Sequence, residues 1–233
     1  RLPSRTVSEP SPGRYVFDLG QNMTGLPELR IPVAKDETIT VRVAEMLLPD
    51  GNLYTANYRS AKSTDSYTAS GNGVVSWSPT FTFHGFRYVE LSGFRSAVEP
   101  AADWVTGLVL HSAFDPLGRF ESSHAKLNQL QSNITWGQRS NFLEVPTDCP
   151  QRDERLGWTG DGQVFCPTSL FNFDVHAFWA AWLESMRESQ RADGSIPHVI
   201  PAVTGGAGRP GWADAATVIP WELYVRTGDR RIL

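Results

Sequence analysis

Alternation of apolar and polar positions dominates the first half of the chain. Ile39, Val41 and Val43 alternate with Thr38, Thr40 and Arg42, the two-residue period of a strand with one buried face. Extended patterns also mark residues 26–33, 38–47, 63–69, 75–83, 87–94 and 103–113. Turn-forming residues punctuate the series at Pro49-Asp50-Gly51, Gly71-Asn72-Gly73 and Ser92-Gly93. Short strands at this spacing predict an antiparallel β-sandwich over residues 15–114. Residues 1–14, rich in Pro and Ser, read as a linker or the tail of a preceding domain.

The period changes near Asp115. Ser122 and Ser123 offer a cap for a helix running to about Asn141, with Leu127, Leu130 and Ile134 on one face. Residues 162–171 read as a short helix interrupted by Pro167. A longer one is expected over 174–190, capped by Asp174 and carrying Phe178, Trp179, Trp182, Leu183 and Met186. Gly194 should end that stretch. A Gly- and Pro-rich loop over 204–211 leads to a further helix over about 213–225, with Gly228 beyond its end. The expected architecture is a β-sandwich followed by helices over 115–233, joined by long loops.

Composition narrows the functional classes. A net charge of −4 and 20% charged residues give no basic surface for nucleic acid or an anionic membrane. No apolar run has membrane-spanning length, and no signal peptide begins at Arg1, so the compartment stays open. Cys149 and Cys166 form neither a disulfide framework nor a metal-ligand spacing, and no phosphate-binding loop or nucleophile elbow is present. No cofactor or metal is expected. Eight Trp is a high count, which suits sugar binding but is more often core packing.

The chemistry concentrates in residues 148–161, DCPQRDERLGWTGD. Asp148, Arg152, Asp153, Glu154, Arg155 and Asp161 crowd a backbone broken by Pro150, Gly157 and Gly160, with Trp158 among them. Carboxylates and an Arg fork suit vicinal hydroxyls, and a Trp face suits an apolar sugar edge. A carboxyl among like charges can also keep the proton that glycoside cleavage requires. The competing reading is a structural knot of ion pairs at the mouth of a helical domain.

This stretch closely resembles the signature of bacterial α-L-rhamnosidases, glycoside hydrolase family 78. FDLGQNMTG (17–25), residues 44–67 and FTFHGFRYVE (81–90) resemble that family's β-sandwich. GSIPHVIP (194–201) and GWADAATVIPWELY (211–224) resemble its helical barrel. The resemblance implies an antiparallel β-sandwich followed by the N-terminal part of an (α/α)6 barrel. It also implies an enzyme releasing terminal α-L-rhamnose with inversion. Glu154 takes the position of the general acid. Asp148, Arg152, Asp161 and Trp158 take those that contact the sugar, and Trp212 and Asp214 fall in a stretch like the second pocket-lining loop. Asp153 or Arg155 would orient the loop. The partners implied are rhamnosylated glycosides.

Residues after 115 supply only the opening hairpins of such a barrel, so the expectation is a fragment with an apolar face for a further segment or another chain to cover. The family's general base is a Glu from a much later barrel loop, and no position here matches it. Glu184, Glu188 and Glu222 read as exposed helix positions. His84 reads as a structural histidine, and His198 is a weaker pocket candidate. The alternatives are a non-catalytic carbohydrate-binding fragment and another (α/α)-barrel sugar-active enzyme.

Overall fold

The computed structural model describes residues 1–233. They divide into two compact units, one of residues 1–110 with 150–153 and one of residues 111–149 with 154–233.

The first unit is an antiparallel sheet of eight strands. They are β1 (Leu2–Pro3), β2 (Thr6–Ser11), β3 (Arg14–Val33), β4 (Thr38–Ala44), β7 (Thr64–Thr68), β8 (Gly73–Trp77), β9 (His84–Ser92) and β10 (Val105–Val109); β5 (Met46–Leu47) and β6 (Leu53–Tyr54) form a separate small hairpin. β3 is the spine. Its first part pairs β2 and β9, and its last part pairs β10 and β8. Its pairing with β9 is interrupted between Asp18 and Met23, where a bulge bends the strand. Phe17, Leu19, Met23, Leu29 and Ile31 of β3 are buried with Ile39, Val41, Phe86, Val89 and Leu91. At Gly107 a Cβ would sit 2.6 Å from the Met23 methyl and 2.7 Å from a Leu19 methyl, so a side chain there would have to displace both from their packing.

Residues 1–14 are not a linker. β1 pairs β10 and β2 pairs β3, so the Pro/Ser-rich start closes sheet edges. His84 has the structural role expected of it, with Nε2 2.8 Å from the Asp65 carboxylate.

The second unit holds four helices, α1 (Ala125–Asn141), α2 (Thr159–Asn172), α3 (His176–Glu188) and α4 (Ala215–Thr227), with a two-strand ribbon of β11 (Phe142–Leu143) and β12 (Val145–Pro146). Its core gathers Phe142, Cys166, Leu170, Trp179, Trp182, Met186, Ile219 and Leu223. Burial pushes the Cys166 thiol up to about 12, so it is an inert packing group.

Three local expectations change. α2 starts three residues earlier than expected and runs through Pro167 without a break. α3 begins at His176 with no side-chain cap; Asp174 instead pairs its N–H with the Asp115 carbonyl at 2.8 Å. In α1, Ser122 accepts from His124 N–H rather than from the first helical turn, and Leu127 and Leu130 stay 47% and 53% exposed. The residue α1 buries is Gln138, whose amide donates to the Ser169 carbonyl and accepts from Asn172. Val164, Phe171, Trp221 and Val225 are exposed as well, leaving this unit with open apolar surface. At the end of α4, Gly228 takes φ 72° and donates to the Tyr224 carbonyl, as expected.

Candidate active site

The motif is shaped by a chain reversal. Asp148 N–H donates to the Leu156 carbonyl at 3.1 Å, and its carboxylate accepts Leu156 N–H at 2.9 Å. Between them Arg155 holds φ 49°, a left-handed value that costs a non-glycine residue of order 1–3 kcal/mol. The reversal brings Asp148, Cys149 and Glu154 together, with their candidate ligand atoms all within 4.8 Å. Sequence spacing gives no sign of that cluster. It offers two carboxylates and a buried thiol.

Beyond the reversal the chain pairs with the segment before the Gly-rich loop. Ile200 N–H donates to Gly157 O at 2.8 Å, Trp158 bridges Val199, and Thr159 donates through N–H and Oγ1 to the His198 carbonyl at 2.9 and 3.0 Å. A Cβ at Gly157 would collide with the Ile200 carbonyl, so only glycine permits this approach. Trp158 is thereby fixed, and its indole N–H donates to Glu154 Oε1 at 3.1 Å.

α2 follows at once, with Asp161 in its first turn. Gly160 lets Trp212 lie close: a Cβ there would be 3.1 Å from the indole Cδ1 and Nε1. The turn before Trp212 is tied on both sides, as Gly211 accepts from Gln163 Nε2 and donates to Asp214 Oδ2, each at 2.8 Å. Asp214 occupies the N-cap position of α4, but its carboxylate folds back to this turn rather than onto the helix. A cleft of about 750 Å³ opens among these elements, lined by Asp148, Asp161 and Trp212 with Ile134, Phe142 and Phe165.

Asp148, Glu154, Trp158, Asp161, Trp212 and Asp214 therefore all lie in the helical unit. Arg152 and Asp153 group with the sandwich unit. There Asp153 accepts from the Ser60 hydroxyl, which holds its carboxyl below the usual range, and Pro150 and Gln151 pack on Gly85. Asp153 is thus an anchor of the loop. Glu184 is exposed and paired with Arg187. Sequence reasoning read Gly157 only as a break and passed over Thr159 and Gln163, whose side chains donate to backbone carbonyls.

Asp161 is open to solvent at its outer edge, yet its pKa is pushed up, first by burial and then by the charges of Asp148 and Glu154. A carboxyl raised on folding contributes stability below the ordinary carboxylate range and loses it as pH rises through its folded pKa. Asp161→Asn should therefore melt higher than wild type at neutral pH, with the gain vanishing near about pH 3. A melting difference that does not change with pH would show that charge repulsion is not the cause.

Two family models cover nearly the whole chain: the bacterial alpha-L-rhamnosidase 6 hairpin glycosidase domain over residues 115–233 and the bacterial alpha-L-rhamnosidase concanavalin-like domain over 8–111. The chain belongs to the bacterial alpha-L-rhamnosidase family. An alpha-L-rhamnosidase of Formosa agariphila is 59% identical over 219 residues, 94% of this chain and 24% of that protein. The crystal structure of Streptomyces avermitilis alpha-L-rhamnosidase complexed with L-rhamnose superposes with a TM-score of 0.96 at 50% identity, over 99% of this chain and 22% of that one. The alpha-L-rhamnosidase of Dictyoglumus thermophilum gives 0.94 at 39% identity, over 99% of this chain and 26% of its own. The chain thus spans about a quarter of the length of the rhamnosidases it matches. Family membership accounts for the order of the two units, a β-sandwich and then the opening helices of the barrel.

Proposed function

We propose that this chain carries the acid half of an inverting α-L-rhamnosidase site, acting on terminal α-L-rhamnosyl glycosides. The observation that carries the reading is the Trp158 indole N–H on Glu154 Oε1 at 3.1 Å, beside a cleft lined by Asp148, Asp161 and Trp212. Glu154 protonates the glycosidic oxygen as the bond to rhamnose breaks. Asp148 and Asp161 accept from sugar hydroxyls. Trp158 and Trp212 offer flat apolar faces to the ring and to the C6 methyl of a deoxy sugar. Asp214 acts on Trp212 through Gly211.

Inversion needs a second carboxylate to activate water on the opposite face, roughly 6.5–9.5 Å from the acid. No position in this chain matches the family's general-base Glu, so we place the base in a barrel segment outside the quarter of the family's length matched here. The same segment covers the open apolar surface at Leu127, Leu130, Val164 and Trp221.

The test is calorimetric titration with L-rhamnose, together with proton NMR of an aryl α-L-rhamnoside digest by the enzyme with its complete barrel. Saturable rhamnose uptake by the chain and first appearance of the β-anomer are expected. No rhamnose binding would sink the sugar site, and an α-anomer appearing first would sink inversion. Binding by the chain with no release by the complete enzyme would favour a carbohydrate-binding role.

A further inference from the structure

We propose that His198 is a positioning residue of this site, whose neutral imidazole holds the 204–211 loop so that Trp212 stays against Gly160 at the cleft wall; the proposal rests on the sugar-site reading above. His198 is buried and ties three segments together. Its carbonyl accepts both Thr159 donors, which fixes the residue next to Trp158. Its N–H donates to the Gly206 carbonyl at 3.0 Å, which fixes the start of the loop. Its Nε2 accepts the Arg209 N–H at 3.3 Å, which fixes the end. The Arg209 carbonyl in turn accepts from Trp212 N–H at 3.2 Å and Ala213 N–H at 3.0 Å. The imidazole therefore reaches Trp212 through a single residue, Arg209, and the two rings stand 6.0 Å apart.

The chemistry of this link is specific. A backbone N–H needs a lone pair opposite it, so Nε2 must be unprotonated and the ring proton must sit on Nδ1. The Nδ1 side faces Gly206, where a Cβ would collide with the ring, so the loop passes over the imidazole only because residue 206 has no side chain. No substrate atom is asked to touch His198. It acts by aiming Trp212, and losing that aim loses a sugar-facing surface.

The experiment uses protein labelled with nitrogen-15 at the Trp indoles, with the Trp212 resonance identified by its loss in Trp212→Phe. His198→Phe fills the ring space without an acceptor, whereas His198→Gln keeps an acceptor oxygen at similar reach. The Trp212 resonance should move or broaden in the Phe variant and stay near its wild-type position in the Gln variant, the other indole resonances reporting an intact fold. L-Rhamnose affinity should fall roughly three- to tenfold in the Phe variant only. An unmoved Trp212 resonance in His198→Phe overturns the proposal, and so does equal movement in both variants, which would assign the effect to ring bulk. Should His198→Phe fail to fold, Gly206→Ala pushes the imidazole off Arg209 and must displace the same resonance; if Trp212 stays in place, the proposal falls. A resonance that behaves as expected in protein that takes up no rhamnose would leave the positioning role standing and reject the sugar-site reading instead.

Discussion

Glu154→Gln, in the enzyme with its complete barrel, is expected to lower turnover of rhamnosides with poor leaving groups by about 10²–10⁴-fold. L-Rhamnose affinity should stay near wild type. Glutamine keeps the shape of the side chain and an oxygen in place of Oε1, so the Trp158 indole N–H retains its acceptor. What it removes is the transferable proton. An aryl rhamnoside whose phenol departs readily needs less protonation and should lose correspondingly less rate. That dependence on leaving group separates chemistry from structure. Equal losses on good and poor leaving groups would mark Glu154 as a scaffold for Trp158, and undiminished turnover would remove it from the acid role. Glu154→Ala is the weaker test, because it also strips Trp158 of its partner.

The sequence made the site legible because its chemistry is written in residue types. Acids, arginines and a Trp on a glycine-broken backbone announce themselves. In the helical unit Glu154 stands beside Asp148 and Trp158, and Asp148 and Asp161 line the cleft at the start of α2. What escaped was carried by the backbone. The pairing of residues 157–159 with 198–200 uses main-chain groups, and His198 enters through its carbonyl, its N–H and one ring nitrogen. None of these leaves a periodic trace.

The strands followed the same division. β4 alternates cleanly because one face of it is buried, whereas Tyr15, Val16 and Phe17 of β3 are buried consecutively and show no period of two. The Gly20-Gln21-Asn22 stretch bulges this strand without ending it. Leu127 and Leu130 show the reverse case: their helical spacing is real and α1 forms, yet they stay exposed while the helix buries Gln138.

Trp179→Ala should cost the helical unit about 3–5 kcal/mol, the largest stability loss expected of a single core truncation here. Against a typical domain stability of about 5–15 kcal/mol, that takes much of the margin. Trp179 is fully buried. It meets Phe142 edge-on at 5.5 Å and Trp182 at 5.5 Å, and its indole N–H donates to Ser169 Oγ at 2.8 Å. Ser169 passes its own proton to the Cys166 carbonyl at 2.7 Å, so it is left short of a donor when the indole goes. Trp179→Phe keeps an aromatic ring but loses that donor and part of the indole volume, and should cost less, about 1–3 kcal/mol. Urea unfolding followed by circular dichroism would measure both, and a loss below about 1 kcal/mol for the alanine variant would mean that this cluster does not hold the unit. The effect also reaches the motif. The neighbouring Trp182 donates its indole N–H to Ile200 O at 3.1 Å, and Ile200 N–H holds Gly157 at the base of Trp158. Rhamnose affinity should therefore decline in Trp179→Ala at urea concentrations just below the unfolding transition. Affinity that persists unchanged to the midpoint would show the motif to be held independently of the core.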